Sequence, residues 1–347
     1  MVDLAVTDTT GGPTAAVVCC ARGVLAVDLL IVGAGPTGLY AAYYAGFRGL
    51  TSAVVDALPE PGGQITAMYQ EKMIFDVAGF PAIRGRDLVA NLVAQAAGFH
   101  PAYLLGQRAS TLQRHGDDTV TVTCDTGQAV RCHALIITAG IGTFTPRPLP
   151  IGSQFLGRGL THFVSRLADY QGRDVIVVGG GDSAFDWAYT LHPLARSVTL
   201  VHRRDRFRAH EHTVRQVRDL GVPVLVFSEI TAIHGDSWVH SVDVRDTKSG
   251  QTRTLPAQAI IAALGFTADL GPMADWGITI ERRQIPVDTH MATNVSRVFA
   301  AGDIAEYPGK VRLISVGFGE AALAVNNAAV AIDPGAHLFP GHSSDTG

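Results

Sequence analysis

The apolar positions of this chain are grouped rather than scattered. VLAVDLLIVG at 24–33 is a continuous β-rich run, as a strand buried on both faces requires. GAGPTG at 33–38 makes a turn, LYAAYYAGFRG reads as a helix, and TSAVVDA as the next strand. Together they form a βαβ unit of about 30 residues. Residues 62–100 are irregular, then helical in RDLVANLVAQAAGF. Three short β-rich runs follow at 104–107, 119–124 and 129–138, with Asp125-Thr126-Gly127 as a hairpin signal between the last two. TFTPRPLP at 143–150 carries three prolines and reads as a linker. After it the opening pattern restarts: DVIVVGGGDSAFDWAYTLHPLARSVTLVHRR at 174–204 is a second βαβ unit. A β-meander over 224–262, the strand of SRVFAAGD, and a last helix in GFGEAALAVNNAAVAI complete the pass.

Composition narrows the class. A chain of 347 residues suggests two domains. Hydrophobic content of 47% against 17% charged is ordinary for a globular protein, and a net charge of −4 gives no reason to expect nucleic acid or an anionic membrane. The apolar stretch near the N-terminus is interrupted by Arg22 and Asp28, too soon for a membrane span. Residues 1–22 read as a loosely held extension. The four cysteines, Cys19, Cys20, Cys124 and Cys132, form no C-x-x-C and no metal-site spacing, which points to reduced thiols in the cytoplasm.

Three motifs carry chemistry. In Gly33-x-Gly35-x-x-Gly38 the first glycine allows a tight turn, the second lets backbone meet a pyrophosphate, and the third lets helix and strand pack closely. The phosphate rests on the helix N-terminus. Asp56 ends the following strand, placed to accept ribose hydroxyls. Gly179-x-Gly181-x-x-Ala184 repeats the device, but its next strand ends in His202-Arg203-Arg204, with Arg208 beyond. Arginines bind a 2′-phosphate that a carboxylate would repel, so this half is expected to prefer NADP over NAD. Gly302-Asp303, closing a late strand, places a carboxylate where ligands bind in open α/β sheets.

With these three elements the sequence resembles the two-dinucleotide-binding flavoprotein reductases of the thioredoxin reductase type, over roughly 26–345. GGGDSA, VHRRDRFRA and VFAAGD all look like that family's motifs. In thioredoxin reductases a redox C-x-x-C lies just before GGGDSA. Here that segment is THFVSRLADYQG, without cysteine, so disulfide exchange has no attacking thiolate. PEPGGQITAMYQEKMIFDVAGFP (59–81), KVRLISVGFGEAALAVNNA (310–328) and IDPGAHLFPGHSS (332–344) are similar to one branch, the thioredoxin-reductase-like ferredoxin–NADP reductases.

The resemblance implies an α/β protein of two Rossmann-like domains: a discontinuous FAD domain (23–145 and 270–347) and an NADPH domain (146–269). It implies FAD on Gly33, Gly35, Pro36, Thr37 and Gly38, with Asp56 on its ribose. Gly63, Gln64 and Gly140 would lie near the flavin. Gly302, Asp303, Ser315 and Ser343 complete that set, with Val316 where the family often has a small hydroxyl residue. NADPH would lie on Gly179, Gly181, Asp182, Ser183 and Ala184, with His202, Arg203, Arg204 and Arg208 at its 2′-phosphate. Tyr69 matches the tyrosine stacked on one flavin face. His342 matches a histidine that covers the other face from the second subunit of a homodimer. The implied reaction is hydride exchange between NADPH and flavin N5 and one-electron exchange with ferredoxin or flavodoxin. Lys72, Arg84, Arg86, Lys310 and Arg312 are the candidates for attracting an acidic ferredoxin.

Three other readings stay open on sequence: a diaphorase or oxidase reducing quinones, ferric complexes or oxygen; a disulfide reductase using the four cysteines; and a non-catalytic nucleotide-sensing protein that kept the fold.

Overall fold

Residues 23–339, 341 and 342 are described by a computed structural model. The expected N-terminal extension, Cys19, Cys20 and Ser343 lie outside the described residues. Five α-helices occur among the described residues: α1 (Pro36–Phe47), α2 (Gly85–Ala97), α3 (Asp182–Leu191), α4 (Glu211–Asp219) and α5 (Ile314–Ile332). The chain divides into two compact units. One runs up to Thr143 and resumes at Ala268, and the other spans Phe144–Thr267. The crossings run in one two-stranded ribbon, Thr143–Pro146 against Phe266–Asp269. The segment expected to be plain linker is therefore partly strand. Its β-branched Thr143 and Thr145 suit that role, and its prolines follow at the ribbon's end.

The first unit is built on a seven-stranded sheet. Val24–Val32 is central, parallel to Ser52–Asp56 on one side and to Ala129–Ile137 on the other. Ala129–Ile137 divides its outer edge. Its first half pairs antiparallel with Thr119–Cys124, and Leu135–Ile137 pairs parallel with Val298–Ala300. The late segment thus enters the same sheet as the first strand. All the parallel strands end on one edge, which brings Gly33, Asp56, Thr138 and Gly302 together, where open α/β sheets bind ligands. One face packs on α1, α2 and α5 through Leu29, Ile31, Leu39, Val54, Ile136 and Val325. The other is covered through Leu30, Leu135, Val298, Met273 and Trp276.

α5 is long and apolar enough to cross a membrane by length and composition. Its sequence has another explanation. It carries a buried stripe of Gly317, Glu320, Ala321, Ala324, Val325 and Ala328, against α1 and the sheet. Small residues on that stripe allow close helix packing, and the Glu320 carboxylate is paired.

The second unit repeats the plan on a smaller scale. Five parallel strands lie in the order Leu160–Thr161, Ala259–Ala262, Asp174–Val178, Ser197–Val201, Val224–Leu225. α3 packs on this sheet through Phe185, Trp187, Ala188 and Leu191. Its other face is covered by an antiparallel meander, Ser228–Gly235, Val239–Asp246 and Thr252–Pro256, through Val239, Val242 and Val244.

Candidate functional site

The first cradle forms where Val24–Val32 runs out. Gly33 has φ +117, and a Cβ there would lie 2.5 Å from the Thr138 carbonyl oxygen. The turn is sewn on both sides. Gly33 N–H donates to Val55 O (2.8 Å), Thr138 N–H to Val32 O (2.8 Å), and the Thr138 hydroxyl to Gly33 O (2.8 Å). Gly35 differs. Its φ is −69°, which any residue can adopt, and a Cβ there would meet nothing within 4 Å. Its smallness has no intramolecular use, as expected where a ligand must approach the backbone. Pro36 opens α1, where its missing N–H is no loss. Thr37 packs against the backbone of Gly302 and Gly317, joining the start of α1 to the late strand and to α5.

Asp56 stands at the tip of its strand. Its Oδ2 accepts Ala34 N–H (2.6 Å) and its Oδ1 accepts Leu58 N–H (2.8 Å). The carboxylate therefore fastens the middle of the glycine turn besides facing any ribose. Burial holds its pKa above the ordinary carboxylate range, against the lowering effect of those two bonds. The GGQ segment closes over the turn. Gly62 N–H donates to Ala34 O (2.7 Å), a Cβ on Gly63 would lie 3.0 Å from Gly35 Cα, and one on Gly140 3.0 Å from Gln64 Nε2.

Tyr69 ends a π-helical turn, Ile65–Tyr69. Such turns are rare and frequently mark functional sites. Its hydroxyl pKa is pushed up to about 12, first by burial and then by the Asp303 and Asp76 carboxylates. The Asp303 carboxylate thus acts on Tyr69 though the two are 234 positions apart in sequence. The pKa of Asp303 is raised by burial. Lys310 and Arg312 act to lower it, and Glu320 to raise it.

Behind Asp303 lies a network that sequence reading missed. Glu320 Oε2 accepts Gly302 N–H (2.7 Å), while Oε1 accepts the Tyr307 hydroxyl (2.5 Å) and the Lys310 ammonium. Lys310, expected on an exposed basic patch, has a side chain only 2% exposed and pairs inward. Three arginines of that patch are also matched by acids. Arg84 and Arg86 both reach the buried Glu71, and Arg312 reaches Glu306. Ser315 is likewise committed within the chain. Its hydroxyl donates to Asp76 O (3.1 Å) and accepts Ala78 N–H (3.1 Å), pinning loop 75–81 to α5. His342 is exposed, its ring edge-on to Phe339 at 5.1 Å between centroids.

The second cradle copies the first in backbone. Gly179 has φ +153 and abuts the Ala263 carbonyl and the Ala184 methyl, so the third position must be small. Gly181, like Gly35, faces open space. At the next strand tip the chemistry inverts. The His202 ring lies against Gly180, and burial lowers its pKa, with Arg203 and Arg204 adding to the effect. Arg203, Arg204 and Arg208 are exposed, and no ion pair among the described residues engages them. Their loop is moored to the glycine motif. Arg208 N–H donates to Gly180 O (2.7 Å), and His210 N–H to Asp182 Oδ1 (2.9 Å). Asp182, expected at the ligand, has at least one oxygen holding the arginine loop. Ser183 is exposed beside it.

Both cradles fit a dinucleotide. Each offers a glycine at a helix N-terminus where a Cβ would meet nothing within 4 Å. One has a carboxylate at the strand tip, as a ribose needs, and the other has arginines, as a 2′-phosphate needs. No cluster of three metal-ligating side chains occurs among the described residues. Cys124 and Cys132 are buried free thiols in the sheet of the first unit, their pKa values pushed up by burial to about 11 and about 12. Neither has the exposed, thiolate-favouring setting of a redox cysteine.

Residues 27–328 match the family described as pyridine nucleotide-disulphide oxidoreductase. A ferredoxin–NADP reductase of Salinispora arenicola is 63% identical over 319 residues, covering 92% of this chain and 98% of that protein. One from Thermus thermophilus is 48% identical, covering 92% and 96%. Among solved structures, a thioredoxin reductase of Lactococcus lactis matches with TM-score 0.71 at 26% identity, over 88% of this chain and 99% of that one. A thioredoxin reductase of T. acidophilum gives 0.72 at 23% identity, over 88% and 98%, a likeness of fold.

Proposed function

The chain belongs to the pyridine nucleotide-disulphide oxidoreductase family and, within it, to the ferredoxin–NADP reductases, and on that premise we propose that its first unit holds FAD and its second NADP(H). The observation that carries this division is the inverted chemistry at two otherwise like cradles: Asp56 at one strand tip, His202-Arg203-Arg204 at the other. FAD bound there would supply hydride exchange at flavin N5 and one-electron exchange with an iron–sulfur or flavin carrier.

The chain's own residues bind, orient and shield. The α1 N-terminus with Gly33, Gly35 and Gly38 receives one pyrophosphate, and the α3 N-terminus with Gly179, Gly181 and Ala184 the other. Asp56 accepts ribose hydroxyls, and Asp303 accepts from the ribityl chain or a phosphate-bound water. Tyr69 offers its ring face. With a pKa of about 12 its hydroxyl stays protonated at working pH, so Tyr69 orients and excludes water rather than carrying a proton. The segment 161–172 holds no cysteine, and Cys124 and Cys132 stay as buried thiols, so electrons leave by a one-electron carrier and not by a dithiol.

The carrier is ferredoxin, with flavodoxin as a second of the same class. The protein works in the cytoplasm as a homodimer, the tail with His342 covering the flavin of a second copy. Anaerobic titration tests the reading. NADPH should bleach the flavin, and oxidised ferredoxin should restore its colour with turnover. Reduction by NADPH without turnover on any ferredoxin or flavodoxin would favour a diaphorase instead. A protein that stays colourless after incubation with FAD would return it to the nucleotide sensors.

A further inference from the structure

Glu320 is a buried charge that the two-cradle scheme does not use. It stands in the apolar stripe of α5 with 3% of its side chain exposed, where the neighbouring buried positions are alanine, valine and glycine. Its oxygens are divided: Gly302 N–H on Oε2, Tyr307 hydroxyl and Lys310 ammonium on Oε1. Lys310 Nζ also donates to Gly302 O at 3.0 Å. One ion pair therefore holds both backbone groups of Gly302. That glycine has φ +81, leans on Thr37 at the start of α1, and precedes Asp303.

A buried ion pair is a poor route to stability, because desolvation roughly offsets the attraction and an apolar pair often does as well. What such a pair supplies is a fixed geometry, and here the fixed object is the turn that presents Asp303. We propose that Glu320, Lys310 and Tyr307 form a positioning frame for the Gly302–Asp303 turn, and that this frame sets how tightly the first unit holds FAD. The proposal rests on the assignment of FAD to that unit.

The frame is electrically balanced. Asp303 stands outside it and feels both Lys310 and Glu320. Tyr307, whose hydroxyl bonds Glu320, also feels Glu306, and Asp303 also feels Arg312. From α1, packed on the same helix, Tyr40 meets Phe318 and Thr37 meets Gly317. Removing Lys310 alone leaves the buried Glu320 without its counter-charge, the costly case for a buried pair. FAD affinity of Lys310→Met should therefore fall. In Lys310→Met/Glu320→Gln no unpaired charge remains and a side-chain oxygen can still accept Gly302 N–H, so part of that affinity should return.

The experiment is FAD binding to the apoprotein, followed by quenching of flavin fluorescence at neutral pH, with the thermal midpoint recorded in parallel. Glu320→Gln should weaken FAD by about tenfold or more, the order lost with a charged hydrogen bond. Tyr307→Phe, which deletes one hydroxyl, should weaken it by a few-fold. Lys310→Met should bind more weakly than wild type, and the double variant should bind more tightly than Lys310→Met. That rescue is what a merely structural role would not give. Wild-type-like affinity in Glu320→Gln and Tyr307→Phe, or a double variant no better than the sum of its singles, overturns the frame. If Lys310→Met does not fold, those two single variants decide. Wild-type apoprotein that binds no FAD would overturn the cofactor assignment instead, a distinguishable failure.

Discussion

At the scale of single residues, Asp56 shows how a site group can be strained and useful together. Burial raises its pKa in the folded protein, although two backbone N–H groups donate to it. For a raised carboxyl pKa the sign is clear. The stabilising contribution is present below the unfolded pKa and is lost as pH rises through the folded one, so at neutral pH the apoprotein holds an ionised carboxylate at some cost. Ribose hydroxyls donating to it would move the pKa back down. FAD affinity should therefore be constant near neutrality and fall as pH drops below the folded pKa of Asp56, and Asp56→Asn should bind more weakly with that acid limb absent. Fluorescence titration from about pH 7 to about pH 4 checks both. Asp56 was legible in the sequence because strand, turn and terminal acid follow one another at fixed spacing. Lys310 was not. A lysine beside Arg312 in a polar stretch reads as surface charge, and only the fold brings Glu320 within its reach. Ser315 was hidden for the same reason, since its partners Asp76 and Ala78 lie 239 and 237 positions away.

At the scale of elements, the two glycine turns separate folding from binding. Gly33 needs positive φ and contacts the Thr138 carbonyl, whereas Gly35 has ordinary dihedrals and faces open space. Gly33→Ala should cost about 1–3 kcal/mol, the range for a side chain forced into such a backbone conformation. That is a fall of several degrees in thermal midpoint for a unit of this size. Gly35→Ala should leave the midpoint of the apoprotein nearly unchanged and still lose most FAD, because its methyl enters the space a pyrophosphate must occupy. Calorimetry of the apoproteins beside their flavin content distinguishes the two. A large stability loss in Gly35→Ala would remove the argument that its space is reserved. Regular elements were legible where apolar residues run together after or before a glycine turn, as in Val24–Val32, α1, α3 and α5. Ala109–His115 was missed because this edge strand buries only Ala109 fully and turns Thr111, Gln113, Arg114 and His115 outward. The π-helical turn at Ile65–Tyr69 has no apolar period to read. Its form follows from close packing, with Thr66 hydroxyl donating to Pro61 O and Gly85 against Ile65.

At the scale of the whole molecule, the assignment predicts lesions that stay in one unit. Serine at all four cysteines should leave electron transfer to ferredoxin intact, since Cys124 and Cys132 are buried thiols with pKa values near 11 and 12. A loss confined to those variants would restore the disulfide reading. The arginine loop gives the sharper test. Arg203 and Arg204 are exposed, follow a strand tip with no carboxylate, and belong to a loop moored through Arg208 N–H and His210 N–H rather than through their own side chains. Replacing both by alanine should therefore leave the loop, the fold and the flavin in place. Each charged bond to a 2′-phosphate is worth about 1.5–3 kcal/mol, so KM for NADPH should rise by a factor of roughly ten or more per arginine. KM for NADH, which lacks that phosphate, should barely move, and neither should flavin content or thermal midpoint. Steady-state kinetics with both coenzymes reads the outcome directly. An equal loss for NADPH and NADH would mean that the arginines support the loop rather than choose the coenzyme, and loss of flavin would mean that the two cradles are not independent.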